Sequence, residues 1–307
     1  MTILITGGAG FIGSHIAAHF HGHAHVRILD SLRSGYRHNL DGLDVEFMEG
    51  SITDPQTVAE AVQGIDYVFH LAAMISVPES MTNAAECVDI NVQGLLNVLR
   101  AAADAGVKKL CLSSSAAIYG ENPELPKRED MLPEPKSPYA VTKLDGEYYC
   151  AMFQNESWLN TVSLRYFNVF GPRQDPGSAY AAAVPIFLHR ALRDEDIVVF
   201  GDGQQTRDFI YVKDIAQANV FFTTESQATG TYNIAYGGSL TVNELAEKII
   251  RLTGSSAKIV HAEERAGDVK HSQASIARAK AAGFVPAGSF EQGLAETIGS
   301  FKQLNSR

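Results

Sequence analysis

Strand-like and helix-like segments take turns along the first part of the chain, and that alternation restricts its fold more than any other feature. Short β-branched runs stand at "TILIT" (2–6), "VRILD" (26–30), "VEFM" (45–48), "DYVFHLA" (66–72) and "KLCLSS" (109–114). Helix-like stretches lie between them at 11–21, 54–63 and 84–105, the last with the spacing of a core-facing helix in "NVQGLLNVLRAAADAG". Strands separated by helices of this length make βαβ units and a parallel sheet. The expected class is therefore α/β. After Ser115 comes a Pro-rich loop, "ENPELPKREDMLPEPKSP". A helix over 138–154 follows, with Ser137 at N-cap and Pro138 at N1, then a strand over 160–170. From residue 171 Gly and Pro rise, and helices near 181–193, 212–222 and 241–253 joined by short strands read as a smaller second region.

With 307 residues the chain can hold one large core or two closely joined ones. Its apolar runs are strand-sized, so no membrane span is expected, and the start lacks the features of a secretory signal. Cys87, Cys111 and Cys150 are odd in number and far apart. They read as reduced thiols, which points to a cytoplasmic protein. A net charge of −10 argues against a nucleic-acid partner. An anionic small molecule would have to be met by individual arginines.

The stretch "ILITGGAGFIGSH" sets Gly7, Gly10 and Gly13 between the first strand and the first helix. Glycines there let the backbone turn tightly and approach a pyrophosphate, whose charge the helix N-terminus favours. Asp30 ends the next strand, where a carboxylate accepts hydrogen bonds from ribose hydroxyls and repels a 2′-phosphate. The expected cofactor is NAD, with Arg33 the one nearby residue that favours NADP. In "SPYAVTK", Tyr139 and Lys143 stand at i and i+4 and share a helix face. An ammonium beside a phenol favours the phenolate, as does the positive charge of an oxidised nicotinamide, and lowering its pKa from about 10 to about 7 takes about 4 kcal/mol, which two nearby cations can supply. Such a phenolate is a general base poised at working pH. Ser115, at a strand's carboxyl end, offers a hydroxyl that could share the substrate oxygen.

"TGGAGFIG" (6–13), "HLAA" (70–73), "SSSAAIYG" (113–120) and "YAVTK" (139–143), in this order, resemble the extended short-chain dehydrogenase/reductase family of sugar-nucleotide epimerases and dehydratases. The likeness spans nearly the whole chain. It continues through "LRYFNVFGPRQDP" (164–176), "GDGQQTRDFIYVKD" (201–214) and "TYNIAYGGSLTVNEL" (231–245), which are similar to the nucleotide-sugar site of UDP-hexose 4-epimerases. The resemblance implies a Rossmann-type doubly wound parallel sheet over 1–170 that binds NAD. It also implies a smaller C-terminal α/β substrate-binding region over 171–307, with segments around 205–235 packing back on the first. It assigns catalysis to Ser115, Tyr139 and Lys143. The cofactor site it implies is Gly7, Gly10, Phe11, Ile12, Gly13, Asp30, Ser34, Gly35, Ile52, Leu71, Ala72, Ala73, Asn91, Ser113 and Phe167, with Tyr139 and Lys143. The substrate site it implies is Ser76, Asn168, Val184, Phe200, Arg207, Arg265, Asp268 and Ser272. Ser51 departs from the family, where many relatives have an aspartate facing adenine. Ile75 stands where some epimerases have a lysine on the pyrophosphate. The helices over 84–105 and 138–154 resemble those that pair across a two-fold axis, which implies a homodimer.

Dehydratases of this family carry acidic residues directly after the catalytic hydroxyl, whereas here Ala116 and Ala117 follow Ser115. Inversion at C4 through a 4-keto sugar needs only one base and one hydride shuttle, so a 4-epimerase is expected. In "RAGDVKHSQ", Ser272 stands four residues after the aspartate, where glucose-restricted relatives place a tyrosine. A serine leaves room for an N-acetyl group, so UDP-GlcNAc and UDP-GalNAc are the expected pair, with UDP-glucose and UDP-galactose also admitted. A UDP-glucose-only epimerase, a dehydratase, a decarboxylase, a reductase or a non-catalytic NAD-binding protein are the alternatives. Five histidines lie in "HIAAHFHGHAH" (15–25), but without acidic or cysteine partners they read as a solvated helix end, not a metal site. Phe153 and Trp158 read as packing.

Overall fold

The alternation becomes a single parallel sheet. The computed structural model describes residues 1–175, 182–264 and 270–305. Its first six strands are β1 (Thr2–Thr6), β2 (His25–Asp30), β3 (Glu46–Glu49), β4 (Tyr67–His70), β5 (Lys109–Ser115) and β6 (Thr161–Tyr166). Seven further short strands follow: β7 (Asn168–Phe170), β8 (Ile197–Phe200), β9 (Thr206–Arg207), β10 (Phe209–Tyr211), β11 (Gly230–Ile234), β12 (Leu240–Thr241) and β13 (Ile259–Ala262). The large sheet runs β11-β6-β5-β4-β1-β2-β3, and every pairing in it is parallel. Strand order reverses beside β1, and at such a switch point the carboxyl ends of the strands leave a crevice for ligand.

Helices α1 (Phe11–Phe20), α2 (Pro55–Ala61), α3 (Val77–Thr82), α4 (Ala84–Val88), α5 (Gly94–Asp104) and α6 (Pro138–Asn155) belong to the first part of the chain. Helices α7 (Ala183–Ala191), α8 (Val212–Val220), α9 (Val242–Thr253), α10 (Ala277–Ala281) and α11 (Phe290–Asn305) complete the fold. Alternate residues of a strand face opposite sides, and here the two sides carry different helices. Ile3, Ile5, Ile28 and Phe69 pack with Ile16 and Phe20 of α1 and Ile215 of α8. Leu4, Leu29, Val68 and Leu110 pack with Val58 of α2, Leu95 and Leu99 of α5, and Phe153 of α6. Each such aliphatic side chain contributes about 1.5–3 kcal/mol by burial. A third core joins β7, β8 and β10 to α7, α9 and α11 around Phe170, Phe209, Leu245 and Leu294.

Helix starts follow their caps. Ser137 Oγ accepts the Ala140 N–H at 3.2 Å ahead of Pro138, which sets the first turn of α6. Thr241 and Glu244 form a reciprocal capping box at α9, and Gly254, at φ 72°, ends it in the left-handed region.

Three sequence expectations need correction. The apolar run over 160–170 is not one strand: β6 ends at Tyr166, and β7 leaves the large sheet to pair with β10. The helix over 84–105 is interrupted by a π-turn at Asp89–Gln93, and α3 precedes it. Wider turns of this kind cluster at functional sites, and this one carries Asn91. His15 is buried, not solvated: its Nε2 lies 3.0 Å from the Pro172 carbonyl, and burial lowers its pKa to about 4. Trp158 is half exposed, with its ring edge-on to Phe153 at 5.2 Å.

Candidate active site

Gly7 leaves β1 at φ 71°, and a Cβ there would sit 2.7 Å from the Ala72 nitrogen, at the end of β4. Only glycine lets these two backbones meet. A Cβ on Gly13 would lie 2.4 Å from the Gly7 carbonyl oxygen, so that position also fixes the loop against the helix. Thr6 Oγ1 accepts the Ala72 N–H at 3.3 Å and lies 2.9 Å from His70 Nδ1, while burial holds His70 neutral with a pKa of about 3. α1 begins at Gly10 with no side-chain cap and no acidic residue in its first turn. Its leading N–H groups and positive dipole end are therefore available to an anion.

Asp30 divides its carboxylate between the Ala9 N–H at 2.9 Å and the Leu32 N–H at 2.8 Å. It thus holds the glycine loop while each oxygen keeps a lone pair for a sugar hydroxyl, and burial pushes its pKa up. Gly35 fits against it, since a Cβ would stand 3.1 Å from Asp30 Oδ2. Arg33 is engaged elsewhere, donating to Glu79 at 2.8 Å and to Glu86. Glycine cradle, open helix end, acceptor carboxylate and a sequestered arginine fit NAD.

Across the crevice, α6 carries Tyr139 and Lys143. The Tyr139 phenol lies beside Ser115, the last residue of β5, while the Tyr139 N–H donates to Ser80 of α3 at 3.2 Å. Ser115 Oγ also accepts the Ala117 N–H at 3.1 Å, in the turn Ala116–Tyr119. Lys143 Nζ donates to the Ser113 carbonyl at 2.8 Å and lies 5.8 Å from the centre of the Tyr139 ring. Burial lowers Lys143 to about 8 and raises Tyr139, with the Ser115 hydroxyl opposing the rise. The ammonium bonds a carbonyl on β5, and desolvation disfavours the charged form of both groups.

Asn91 lies at the π-turn with its polar atoms on protein. Oδ1 accepts the Met74 N–H at 2.7 Å, and Nδ2 donates to the Met74 carbonyl at 3.1 Å and to Thr142 at 3.0 Å. It ties the loop after β4, with Leu71, Ala72 and Ala73, to α6. Ile52 is buried in a notch at Gly94 of α5, where a Cβ would come within 2.6 Å of it. Ser34 is exposed at the rim and Ser76 caps α3, accepting the Glu79 N–H at 3.1 Å.

The substrate candidates gather around β7 to β10. Asn168 donates through N and Nδ2 to the Asp208 carbonyl, at 3.2 and 3.3 Å. Arg207 pairs in register with Leu240, and Ser272 donates its N–H to the Thr206 carbonyl at 3.1 Å. Phe200 lines a cavity of about 240 Å³ with Gln205, Lys270 and His271. Val184 is buried in the third core, so its side chain packs there. Phe167 and Ala274 share an apolar cluster with Ile118, against which Ala116 packs, bringing the segment after Ser272 to the catalytic turn. Arg265 and Asp268 lie outside the described residues. Sequence reading missed Asp208, whose signal was an acid directly after Arg207. It also missed the buried Arg165–Glu147 pair, whose members stand 18 residues apart.

Fold and geometry define a dinucleotide-binding α/β enzyme with a serine, tyrosine and lysine at the switch-point crevice. The sequence matches the model of the NAD dependent epimerase/dehydratase family over residues 3–235. The chain belongs to that family. It is similar to a UDP-N-acetylglucosamine 4-epimerase of Methanobrevibacter ruminantium M1 solved with UDP-N-acetylmuramic acid. Identity is 40%, coverage 99% of this chain and 98% of that one, and the TM-score 0.95. A UDP-glucose 4-epimerase of Thermotoga maritima solved with UDP-glucose is 39% identical, covering 99% of this chain and all of that one, at TM-score 0.95. A UDP-N-acetyl-alpha-D-glucosaminuronate decarboxylase of Bacillus cytotoxicus is 35% identical over 319 residues, covering 99% of this chain and 98% of the relative. Among the described residues no helix is long and apolar enough to cross a membrane, and no group of three or more metal-ligating side chains occurs.

Proposed function

We propose that the protein is an NAD-dependent 4-epimerase of UDP-hexoses, interconverting UDP-GlcNAc with UDP-GalNAc and admitting UDP-glucose and UDP-galactose. The observation that carries this reading is Tyr139 set beside Ser115, with two methyl groups following at Ala116 and Ala117. The site has one base and one hydroxyl donor, which is what inversion at a single carbon needs. Gly7, Gly10, Phe11, Ile12, Gly13, Asp30 and the Leu71–Ala73 backbone hold the dinucleotide. Bound NAD supplies the hydride acceptor for C4 and a positive charge beside the phenol.

Tyr139 takes the proton of the 4-hydroxyl while Ser115 donates a hydrogen bond to the same oxygen. After the 4-keto sugar has turned over, Tyr139 returns that proton, so no net acid or base is consumed. Asn168, Arg207, Arg265 and Asp268 grip the nucleotide, which leaves the hexose free to rotate. Ser272 leaves the space an acetamido group needs.

In this reading residues 1–170 are the cofactor-binding part and 171–307 the nucleotide-sugar part, with α8 and β11 packing back on the first. α6 displays Val141, Tyr148 and Met152 at 43%, 61% and 41% exposure along one stripe, which supports a homodimer built on this helix. Three free cysteines, all buried, support a reducing cytoplasm. The decarboxylase relative favours a second reading, and Ala116 and Ala117 count against it. Incubation with UDP-GlcNAc without added reductant should yield UDP-GalNAc. Absence of C4 inversion with any UDP-hexose rejects the proposal.

A further inference from the structure

Asp208 sits where four segments meet and is almost fully enclosed, at 1% exposure. Among the described residues its hydrogen-bond partners are backbone groups. Oδ1 accepts the Tyr236 N–H at 3.2 Å, and Oδ2 accepts those of Gly237 at 3.1 Å and Ala274 at 3.0 Å. Its own carbonyl receives both Asn168 bonds. One residue therefore registers β7, the strand end carrying Arg207, the turn after β11 and the segment containing Ser272. A carboxylate buried on neutral donors costs free energy, and burial raises its pKa to about 6.

We propose that Asp208 is a positioning residue for the nucleotide-sugar clamp: its carboxylate ties the turn after β11 and the Ser272 segment to the strand end that carries Arg207, beside the main-chain carbonyl that receives Asn168, in the one arrangement that grips the diphosphate. This rests on the UDP-hexose reading above. The chemistry needs an acceptor on both oxygens. Asparagine has the same shape but presents an N–H₂ toward at least one backbone N–H, so a donor faces a donor. The catalytic groups lie on β5 and α6, and none of them bonds Asp208.

Asp208→Asn tests this through UDP affinity by calorimetry and through KM and kcat with UDP-GlcNAc. UDP affinity should fall and KM rise about tenfold or more, while kcat at saturation falls less than threefold and NAD affinity holds. That split marks lost ground-state binding. Unaltered UDP affinity overturns the proposal, as does a parallel fall in kcat, NAD affinity and thermal midpoint, which marks a fold defect. Hydrogen exchange of the wild-type protein gives a second measurement that needs no variant. UDP should protect the amides of Tyr236, Gly237 and Ala274, and unchanged exchange in the bound state overturns the proposal. UDP is the probe in both, so a protein that binds it without epimerising any sugar would reject the proposed reaction while leaving Asp208 tested.

Discussion

At the scale of single residues, burial opposes charge on both members of the catalytic pair. Lys143 has its pKa lowered from 10.5 to about 8. A lysine lowered in this way penalises the fold below the folded value, and stability is recovered as pH rises from about 8 toward 10.5. Lys143→Met should therefore raise the unfolding free energy measured in urea at pH 7 by about 1–3 kcal/mol, while abolishing turnover. In the active enzyme kcat/KM should fall above about pH 8 as the ammonium is lost, a limb read directly from a pH–rate profile. Tyr139→Phe should lower kcat by roughly 10²–10⁴-fold, the usual contribution of a general base, and leave NAD affinity within twofold. Ser272→Tyr places a phenol ring where the acetamido group is accommodated. Competition assays should show kcat/KM for UDP-GlcNAc falling much more than for UDP-glucose. The sequence made Tyr139, Lys143 and Ser115 legible because their spacing and order are local. It could not tell that Lys143 would reach back to the Ser113 carbonyl, since that depends on where β5 lies beside α6. The partner of His15 was hidden for the same reason, being a carbonyl from a distant loop.

Elements were read well wherever periodicity alone decides them. The strands of the first sheet and the cap of α6 fall where β-branching, Ser137 and Pro138 put them. Periodicity failed where a side chain from one element reorganises another. Apolar spacing through Asn91 reads as an unbroken helix, because the widening of that turn is tied to Met74 in a different loop. The run through Phe167 is apolar on both sides of the break, and nothing in it marks that β7 pairs with β10. α6 has two duties: its inner face carries Lys143 and the buried Glu147, and its outer stripe is uncovered. Tyr148→Glu with Met152→Glu should convert the proposed homodimer to a monomer in light scattering, with the far-ultraviolet dichroism unchanged. A wild-type monomer at micromolar concentration would reject the dimer.

Across the whole molecule, a buried polar chain links the cofactor sheet to the second half of the sequence. Arg165 donates to both Glu147 oxygens at 2.9 and 2.7 Å and to the Tyr119 hydroxyl at 2.8 Å, and Tyr119 donates to Asn233 of β11 at 2.6 Å. Asn233 Nδ2 continues to the Lys127 carbonyl at 2.9 Å, and the Ser275 N–H meets that same carbonyl at 2.8 Å. The Pro-rich loop is thus stitched to the segment after Ser272, although composition marked it only as irregular. Glu147→Gln leaves the guanidinium buried without its counter-charge and should cost about 3–5 kcal/mol in chemical denaturation. β11 lies in the later part of the chain yet completes the first sheet, so truncation near residue 171 should leave β6 as an unprotected edge. Such a fragment should aggregate.

The grip of two glutamates on Arg33 sets the terms on which coenzyme preference can drift. On the NAD reading, part of the discrimination between the dinucleotides would lie in α3 and α4, whose Glu79 and Glu86 hold Arg33. Neutralising Glu79 and Glu86 together would release a cation beside the ribose edge and narrow the gap between the two dissociation constants, with Asp30 left in place.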